Sequence, residues 1–160
     1  MRILVVDDDP HFTEQLTASF QLPSDILIER AHAFKDALEK IDSLRPEIVI
    51  VDYRLDESNG HDVLRRARLE NPQARCILMT AFADKAMAIE SVNLKVDYFL
   101  EKPFQAEDVR RPLNQLVAEI SSARQKRLDF ELNDRDLSVT HGDQQIRLTA
   151  TEYKLLQLFV

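Results

Sequence analysis

The sequence lacks the features that would assign it to several common classes of protein. It contains one cysteine, Cys76, so no disulfide framework can form within the chain. No apolar run approaches the length of about 20 residues that a membrane-spanning helix requires. The apolar run Ile3–Val6 near the start is also too short for a secretory signal. We therefore expect a cytoplasmic protein without a membrane partner.

A surplus of basic residues is also missing. The formal net charge is −7, and residues 121–160 carry six Lys/Arg and six Asp/Glu, so the acidic surplus lies in residues 1–120. Domains that bind nucleic acid usually present clustered basic side chains. If DNA is a partner, the surface that binds it is not among these residues.

The stretch Ile48–Asp52 is the centre of the predicted fold. It is a run of β-branched residues that ends in a carboxylate. An apolar run without polar alternation is typical of a strand that is covered on both faces, as in a parallel α/β sheet. Asp52 then lies at the carboxyl end of the strand, which is the edge where open parallel sheets bind ligands.

Further strand and helix patterns alternate along residues 1–120 and predict five strand–helix units with short connections. Such units form a doubly wound parallel sheet with right-handed crossovers. Strand 2 alternates in polarity like an edge strand, whereas the polar residues of interest follow strands 1, 3, 4 and 5, which favours the order 2-1-3-4-5. The predicted strands are Ile3–Val6, Asp25–Arg30, 47–51, Ala74–Met79 and Val96–Leu100; the helices are Pro10–Phe20, Phe34–Ser43, one ending at Glu70, Ala83–Val92 and Gln105–Ile120.

Five polar side chains are expected together at the carboxyl edge of this sheet. Three carboxylates so close repel one another unless a hard cation lies among them, and an all-oxygen site suits Mg²⁺. A carboxylate beside Mg²⁺ can attack phosphorus and form an acyl phosphate. A lysine can neutralise the added oxygens, and a hydroxyl can donate a hydrogen bond to one of them. The five residues are Asp7, Asp8, Asp52, Thr80 and Lys102.

Each of these residues also has an ordinary structural interpretation. The run Asp7–Asp9 could simply begin the first helix, with Pro10 at its first position. Thr80 could be a turn residue, and Lys102 could be a solvated loop residue. Their coincidence at four strand ends favours a functional site.

Residues 1–120 resemble the flavodoxin-like receiver domain of bacterial two-component response regulators. The resemblance rests on Val5–Pro10, on Val51–Leu55 with Gly60, on Met79–Ala81 and on Asp97–Phe104. It implies that a sensor histidine kinase phosphorylates the aspartate of the second segment, Asp52, in a Mg²⁺-dependent reaction.

The resemblance also implies roles for individual residues. Asp8, Asp52 and the backbone carbonyl of Arg54 would ligate Mg²⁺, with Asp7 helping through water. Thr80 and Phe99 would form the switch pair, in which the hydroxyl moves toward the phosphoryl group while the ring changes rotamer. The Lys102–Pro103 bond is usually cis in this family, which a proline allows at low cost. Several positions depart from the family pattern. Asp56 stands where proline is usual, Lys95 stands where glycine is usual, and Pro112 falls inside the last predicted helix of the receiver domain, where it should kink the helix.

The pattern of the sequence changes after residue 120. We interpret 121–127 as a polar linker and 128–132, 137–140 and 145–148 as small antiparallel strands, with a turn at His141–Asp143. Leu148–Leu156 resembles the beginning of the first helix of the winged-helix effector domain found in transcription-factor response regulators. The threonine before Glu152 is a candidate cap of that helix.

In that family the recognition helix and the wing lie downstream of this point. We therefore expect residues 128–160 to be the first part of an effector domain, and we favour a piece of a longer transcription regulator over a natural truncation. An incomplete effector domain would expose an apolar face that is expected to bind a partner. A homodimer through this tail and disorder of the tail are both open. The residues of this face are Tyr153, Leu155, Leu156, Leu158 and Phe159.

Three functions remain open at this point. The favoured one is a phosphorylation-controlled switch that is no turnover enzyme, beyond slow autodephosphorylation, and that regulates transcription if the chain continues past Val160. A Mg²⁺-dependent phosphohydrolase is the second, but Arg54 stands where its second acid would be. A phosphorylation-independent interaction module is the third, and the presence of all five site residues argues against it.

Overall fold

The computed structural model describes residues 1–55, 58–81, 85–128, 130–141 and 144–157. Asp56 and the predicted start of a helix at Ala83 lie outside these ranges. In chain order the elements are β1 (Arg2–Val6), α1 (Pro10–Ala18), β2 (Leu27–Ala31), α2 (Phe34–Leu44), β3 (Ile48–Asp52), β4 (Arg54–Leu55), β5 (Ser58–Asn59), α3 (Gly60–Glu70), β6 (Arg75–Thr80), α4 (Lys85–Asn93), β7 (Tyr98–Glu101), α5 (Ala106–Leu128), β8 (Phe130–Asn133), β9 (Ser138–His141), β10 (Gln144–Arg147) and α6 (Ala150–Gln157).

Five of the strands form one parallel sheet in the order β2-β1-β3-β6-β7. The predicted order 2-1-3-4-5 is therefore confirmed. The order reverses between β1 and β3, so the loops after these two strands open toward the same crevice at the carboxyl edge. The doubly wound sheet places the ends of β1, β3, β6 and β7 side by side.

The burial of each strand follows its sequence pattern. Every residue of β3 is buried, as are the last four residues of β1 and the last five of β6. The edge strands are more exposed: alternate residues of β7 are exposed, and only the last residue of β2 is buried. Fully buried aliphatic side chains between the central strands and the helices provide the core, because burying apolar area is the main favourable term in folding.

Local signals explain how the first helix begins. The Asp9 side chain caps α1 by accepting hydrogen bonds from the backbone N–H groups of His11 and Phe12, and Pro10 occupies the first turn. The cap fixes where α1 leaves the sheet edge. Its side chains therefore lie at a defined height above the end of β1.

Two backbone features match positions singled out in the sequence. The Lys102–Pro103 bond is cis, as the family resemblance implied. Lys95, at the position where the family usually has glycine, has a φ of 51°, which lies in the left-handed region that favours glycine. Within the described residues, no helix combines the length and apolar character needed to cross a membrane.

The chain divides into two compact units, Met1–Leu116 and Val117–Val160. In the second unit, β8, β9 and β10 form the expected antiparallel sheet in the order β10-β9-β8. Gly142 and Asp143 of the predicted turn lie outside the described residues. The helix α6 follows the sheet, as the effector-domain resemblance implied.

The structure changes several expectations for this second unit. Residues 121–127 are helical, because α5 continues to Leu128; their interpretation as a linker between domains stays a prediction. The cap of α6 is Thr149 rather than the threonine before Glu152. Thr149 and Glu152 form a reciprocal capping box, in which the Thr149 N–H and hydroxyl donate to the Glu152 carboxylate and the Glu152 N–H donates to the hydroxyl.

The expected apolar face of α6 is only partly exposed. Tyr153 is buried, and its hydroxyl donates a 2.8 Å hydrogen bond to Asp134. Burial together with this carboxylate raises the pKa of Tyr153 to about 12. Leu155 is exposed as expected, and Leu158 and Phe159 lie outside the described residues.

Candidate functional site

A lysine bridges two carboxylates at the carboxyl edge of the parallel sheet. Lys102 Nζ lies 2.8 Å from Asp7 Oδ2 and 2.7 Å from Asp52 Oδ1. Asp7 follows β1, Asp52 ends β3 and Lys102 follows β7, so the strand order brings residues that are distant in the chain into one cluster. Both aspartates are buried, whereas the Lys102 side chain is about a quarter exposed.

Each oxygen of the Asp52 carboxylate has a defined contact. Oδ1 faces Lys102, and Oδ2 accepts a 2.7 Å hydrogen bond from the Arg54 backbone N–H. The following turn is fixed from two sides, because Tyr53 N–H donates to the Met79 carbonyl and Gly60 N–H donates to the Tyr53 carbonyl. Asp52 therefore points into the crevice from a rigid backbone.

For both Asp7 and Lys102, burial and the nearby opposite charge shift the pKa in opposite directions. Burial is the largest influence on Asp7 and raises the pKa of its carboxyl group, although Lys102 and the Asp9 N–H both donate hydrogen bonds to it. Burial also lowers the pKa of the Lys102 ammonium, but the hydrogen bonds to Asp52 and Asp7 outweigh this effect and raise the pKa overall. Both pKa values are raised, which favours the charged form of Lys102 and disfavours the charged form of Asp7. The lysine faces two carboxylates, whereas the buried Asp7 shares its one cation with Asp52.

The third carboxylate of the predicted set does not join this cluster. Asp8 is exposed. Among the described residues, no three His, Cys, Asp or Glu side chains are close enough together to hold a metal ion. The donor chemistry nevertheless suits Mg²⁺, because Asp7 and Asp52 already converge on one cation, Asp8 follows directly in the chain, and all three supply oxygen.

Thr80 and Phe99 lie on neighbouring strands beside the cluster. Thr80 is the buried last residue of β6, and its carbonyl accepts a 2.6 Å hydrogen bond from the Lys102 N–H. Phe99 on β7 is 37% exposed and pairs in register with Leu78. The buried Thr80 thus ends its strand beside the site, and Phe99 lies on the neighbouring strand with its side chain partly exposed.

An aromatic pair beside Lys102 was missed in the sequence analysis. The Phe12 ring centroid lies 4.6 Å from Lys102 Nζ. The Phe104 ring meets Phe12 edge to face, with 6.1 Å between the centroids. Phe104 follows the lysine in a segment that was singled out, but nothing in the spacing of Phe12 indicated that its ring would reach the lysine.

A buried histidine next to the site was also not singled out in the sequence analysis. His61 is fully buried: its Nε2 lies 2.9 Å from Ser91 Oγ, and its ring meets Tyr53 at 5.1 Å between centroids. Its Nδ1 lies 2.9 Å from Glu90 Oε2, without the alignment of a hydrogen bond. His61 therefore joins the turn after Asp52 to the helix α4.

Comparison with known proteins agrees with this architecture. The sequence profile of the response regulator receiver domain matches residues 3–114. The response regulator MprA of Mycobacterium sp. (strain KMS) is 30% identical over 166 residues, an alignment that covers 100% of this chain and 72% of that protein.

Solved structures share the fold at lower identity. A CheY-like response regulator receiver domain protein from Methanospirillum hungatei JF-1 superposes with a TM-score of 0.69 at 23% identity, covering 76% of this chain and 97% of that one. A response regulator protein from Burkholderia pseudomallei, whose crystal structure contains a phosphorylated aspartic acid, a calcium ion and citrate, gives a TM-score of 0.63 at 24% identity. That match covers 77% of this chain and 72% of the other.

Proposed function

Because the chain belongs to the response regulator receiver domain family, we propose that it is the phosphoacceptor of a two-component system and that a sensor histidine kinase phosphorylates it on Asp52. One observation carries this proposal: the Lys102 ammonium lies 2.7 Å from Asp52 Oδ1 at the carboxyl edge of the sheet. A carboxylate beside a fixed cation can accept a phosphoryl group whose negative charge the cation then neutralises.

The transfer exchanges one phosphorus bond for another. A carboxylate oxygen of Asp52 attacks the phosphorus of the kinase phosphohistidine, the new O–P bond forms, and the N–P bond to the imidazole breaks. The imidazole leaves with the electron pair of that bond and takes up a proton. Lys102 then faces the added phosphoryl oxygens, and the Thr80 hydroxyl donates a hydrogen bond to one of them.

We assign the magnesium site to the same edge. Asp8, Asp52 and the backbone carbonyl of Arg54 would hold Mg²⁺, and Asp7 would act through water. Bound Mg²⁺ supplies positive charge against the phosphoryl oxygens. The Burkholderia pseudomallei relative supports a divalent ion together with an aspartyl phosphate in this fold, since its structure contains calcium and a phosphorylated aspartic acid.

The phosphorylated state would act as a switch rather than as a step in rapid turnover. In this proposal Thr80 moves toward the phosphoryl group, Phe99 changes rotamer, and the two-state equilibrium of the outer face shifts. The exposure of Phe99 gives its ring space to move. The modified aspartate is expected to decay slowly, by its own hydrolysis.

We further propose that residues 128–160 begin a winged-helix effector domain and that the complete protein regulates transcription by binding DNA. Two observations support this part. The alignment with MprA extends through the whole chain, and the small antiparallel sheet is followed by the capped helix α6. Sequencing the coding region beyond codon 160 tests it: a basic helix followed by a hairpin is expected, and a stop codon there would contradict it.

Treatment with acetyl phosphate and Mg²⁺, followed by intact-mass measurement over time, tests the switch proposal. We expect one added phosphate per chain and slow decay. Asp52→Asn should abolish the mass increase. Asp25→Asn is the matched control, because Asp25 is exposed and precedes β2, away from the carboxyl edge, and it should label normally.

Two results would contradict the proposal. Failure of the wild-type chain to take up phosphate at saturating Mg²⁺ would leave a phosphorylation-independent interaction module. Rapid multiple turnover of an external phosphoester would instead indicate a phosphohydrolase.

A further inference from the structure

The contacts around Lys102 suggest a role for a residue of α1 that the function proposed above does not include. We propose that Phe12 is a positioning residue, whose ring holds the Lys102 ammonium against the Asp52 carboxylate. The inference rests on the proposed phosphoacceptor function. No hydrogen bond or ion pair described above joins the Phe12 side chain to the carboxylate of Asp7 or Asp52.

The first support is that the ring is a third close neighbour of the ammonium, in addition to the two acids. Lys102 Nζ has Asp7 and Asp52 oxygens at 2.8 and 2.7 Å, and its remaining close neighbour among the described contacts is the Phe12 ring at 4.6 Å. The face of an aromatic ring attracts a cation, most strongly where water is partly excluded. The ring therefore limits the directions in which a long and flexible lysine can point.

The second support is that the contacts form a closed circuit. Lys102 Nζ donates to Asp7 Oδ2, while Asp7 Oδ1 accepts a 3.0 Å hydrogen bond from the Asp9 N–H. Asp9 Oδ1 accepts a 3.1 Å hydrogen bond from the Phe12 N–H, and the Phe12 ring returns to Lys102. The helix cap that starts α1 thus also sets the height of the ring above the lysine.

A third support is that the ring itself is held in place. Phe104, two residues after Lys102, packs edge to face against Phe12, an arrangement that favours one ring orientation. The lysine is thus held by the charge of the two acids and by the ring from α1. An aliphatic side chain at position 12 could fill the space but would not attract the cation.

Three variants separate a positioning role from ordinary packing. Phe12→Leu removes the ring and keeps apolar bulk, Phe12→Tyr keeps the ring, and Phe20→Leu makes the same change beyond the far end of α1. The first measurement is NMR of the Lys102 side chain in the unphosphorylated chain with labelled lysine, because ring currents shift nuclei near an aromatic face. The second is the rate constant of labelling by acetyl phosphate with Mg²⁺.

We expect Phe12→Leu to move the Lys102 side-chain resonances and to slow labelling about two- to tenfold, the range that a partly exposed cation–π contact would give. Phe12→Tyr should retain the resonance positions and the rate, and Phe20→Leu should change neither. If Phe12→Leu does not fold, Phe12→Met provides a second variant without the ring.

The inference is overturned if the Lys102 resonances are the same with and without the ring. It is also overturned if the resonances move while the labelling rate stays unchanged, or if Phe12→Tyr slows labelling as much as Phe12→Leu. If the wild-type chain takes up no phosphate, the proposed function itself fails, and the lysine resonances still decide whether the Phe12 ring lies against Lys102.

Discussion

A Cβ atom added at Gly60 would lie 2.5 Å from the Asp52 carbonyl oxygen. Real Cβ atoms do not approach an oxygen so closely, and the obstacle is backbone rather than the movable end of a side chain. The Tyr53 Cα would lie 3.1 Å away on the same side. Gly60 therefore permits the start of α3 to pack directly on the turn that follows Asp52, the proposed phosphoacceptor.

The close approach predicts a strong effect of one methyl group. Gly60→Ala should reduce the free energy of unfolding by about 1–3 kcal/mol, the usual cost of overpacking, and should slow labelling of Asp52 because the turn must move. Urea unfolding and the acetyl phosphate assay measure the two effects. Asn59→Ala is the control, since it removes the side-chain cap of α3 and costs about 1 kcal/mol without that clash. Normal labelling of the Gly60 variant would show that the turn tolerates displacement.

We expect that Asp7, although it belongs to the candidate site, lowers the free energy of unfolding. Its carboxyl group is buried and its pKa is raised, so the ionised form is unfavourable in the folded state. Asp7→Asn in EDTA should raise the free energy of unfolding by about 1 kcal/mol, because Lys102 keeps Asp52 as a partner. The exposed Asp8 provides the matched control, and Asp8→Asn should change stability by less than about 0.5 kcal/mol. A loss of stability in Asp7→Asn would mean that the lysine needs both acids.

Glu47 lies at the opposite edge of the sheet, and its carboxyl group should make the free energy of unfolding depend on pH. Burial raises the pKa of its carboxyl group, but the hydrogen bonds from Arg2, including one of 2.6 Å from the Arg2 backbone N–H, outweigh burial and lower the pKa below its ordinary value of 4.5. Because the folded-state pKa is depressed, the stabilisation is present above pH 4.5 and is lost as the pH falls through the folded-state value.

The matching variant is Glu47→Gln. It should cost about 1 kcal/mol at pH 7, and the difference from the wild type should shrink as the pH falls below 4.5. Urea unfolding at a series of pH values measures this difference. Glu39→Gln, at an exposed site on α2, should show no such trend. A difference that stays constant down to acid pH would rule out a role for the Glu47 charge.

The buried pair His61 and Ser91 gives a prediction about a proton. Ser91 Oγ lies 2.9 Å from both the Met87 carbonyl and His61 Nε2; if its one hydrogen is donated to the carbonyl, the serine oxygen accepts from His61 and we expect the proton of the ring on Nε2. Ser91→Ala would leave this buried N–H without its acceptor and should cost about 1–3 kcal/mol. Ser43→Ala, which removes a similar hydroxyl bond on exposed α2, should cost less than about 0.5 kcal/mol. Nitrogen NMR of His61 checks the proton, and an unprotonated Nε2 would contradict this arrangement.

The sheet could be predicted from the sequence because the apolar pattern of a strand depends mainly on whether one or both of its faces are covered. Strands covered on both faces, such as Ile48–Asp52, are continuously apolar, whereas edge strands alternate. This difference, together with the polar residues that follow four of the strands, favoured the strand order. Once the order is known, the carboxyl ends of β1, β3 and β7 must meet. The proximity of Asp7, Asp52 and Lys102 follows from that order, while their chemical roles stay predictions.

Other features depend on packing that no short pattern encodes. The contact between Phe12 and Lys102 requires the rotation of α1 above the sheet. The burial of His61 requires Ser91, thirty residues later in the chain, to supply its partner. The length of α5 was underestimated because Ser121–Arg127 lacks apolar periodicity, although it also lacks glycine and proline and contains residues with good helix propensity. The capping box at Thr149 and Glu152 was visible as threonine and glutamate three residues apart.

The most direct test of the account is to locate the added phosphate. The chain is labelled with acetyl phosphate and Mg²⁺, the acyl phosphate is reduced with borohydride, and the modified residue is identified by mass spectrometry of peptides. The account predicts that the reduced residue is Asp52, next to Lys102. Reduction at Asp7, Asp8 or a residue outside this edge of the sheet would contradict it.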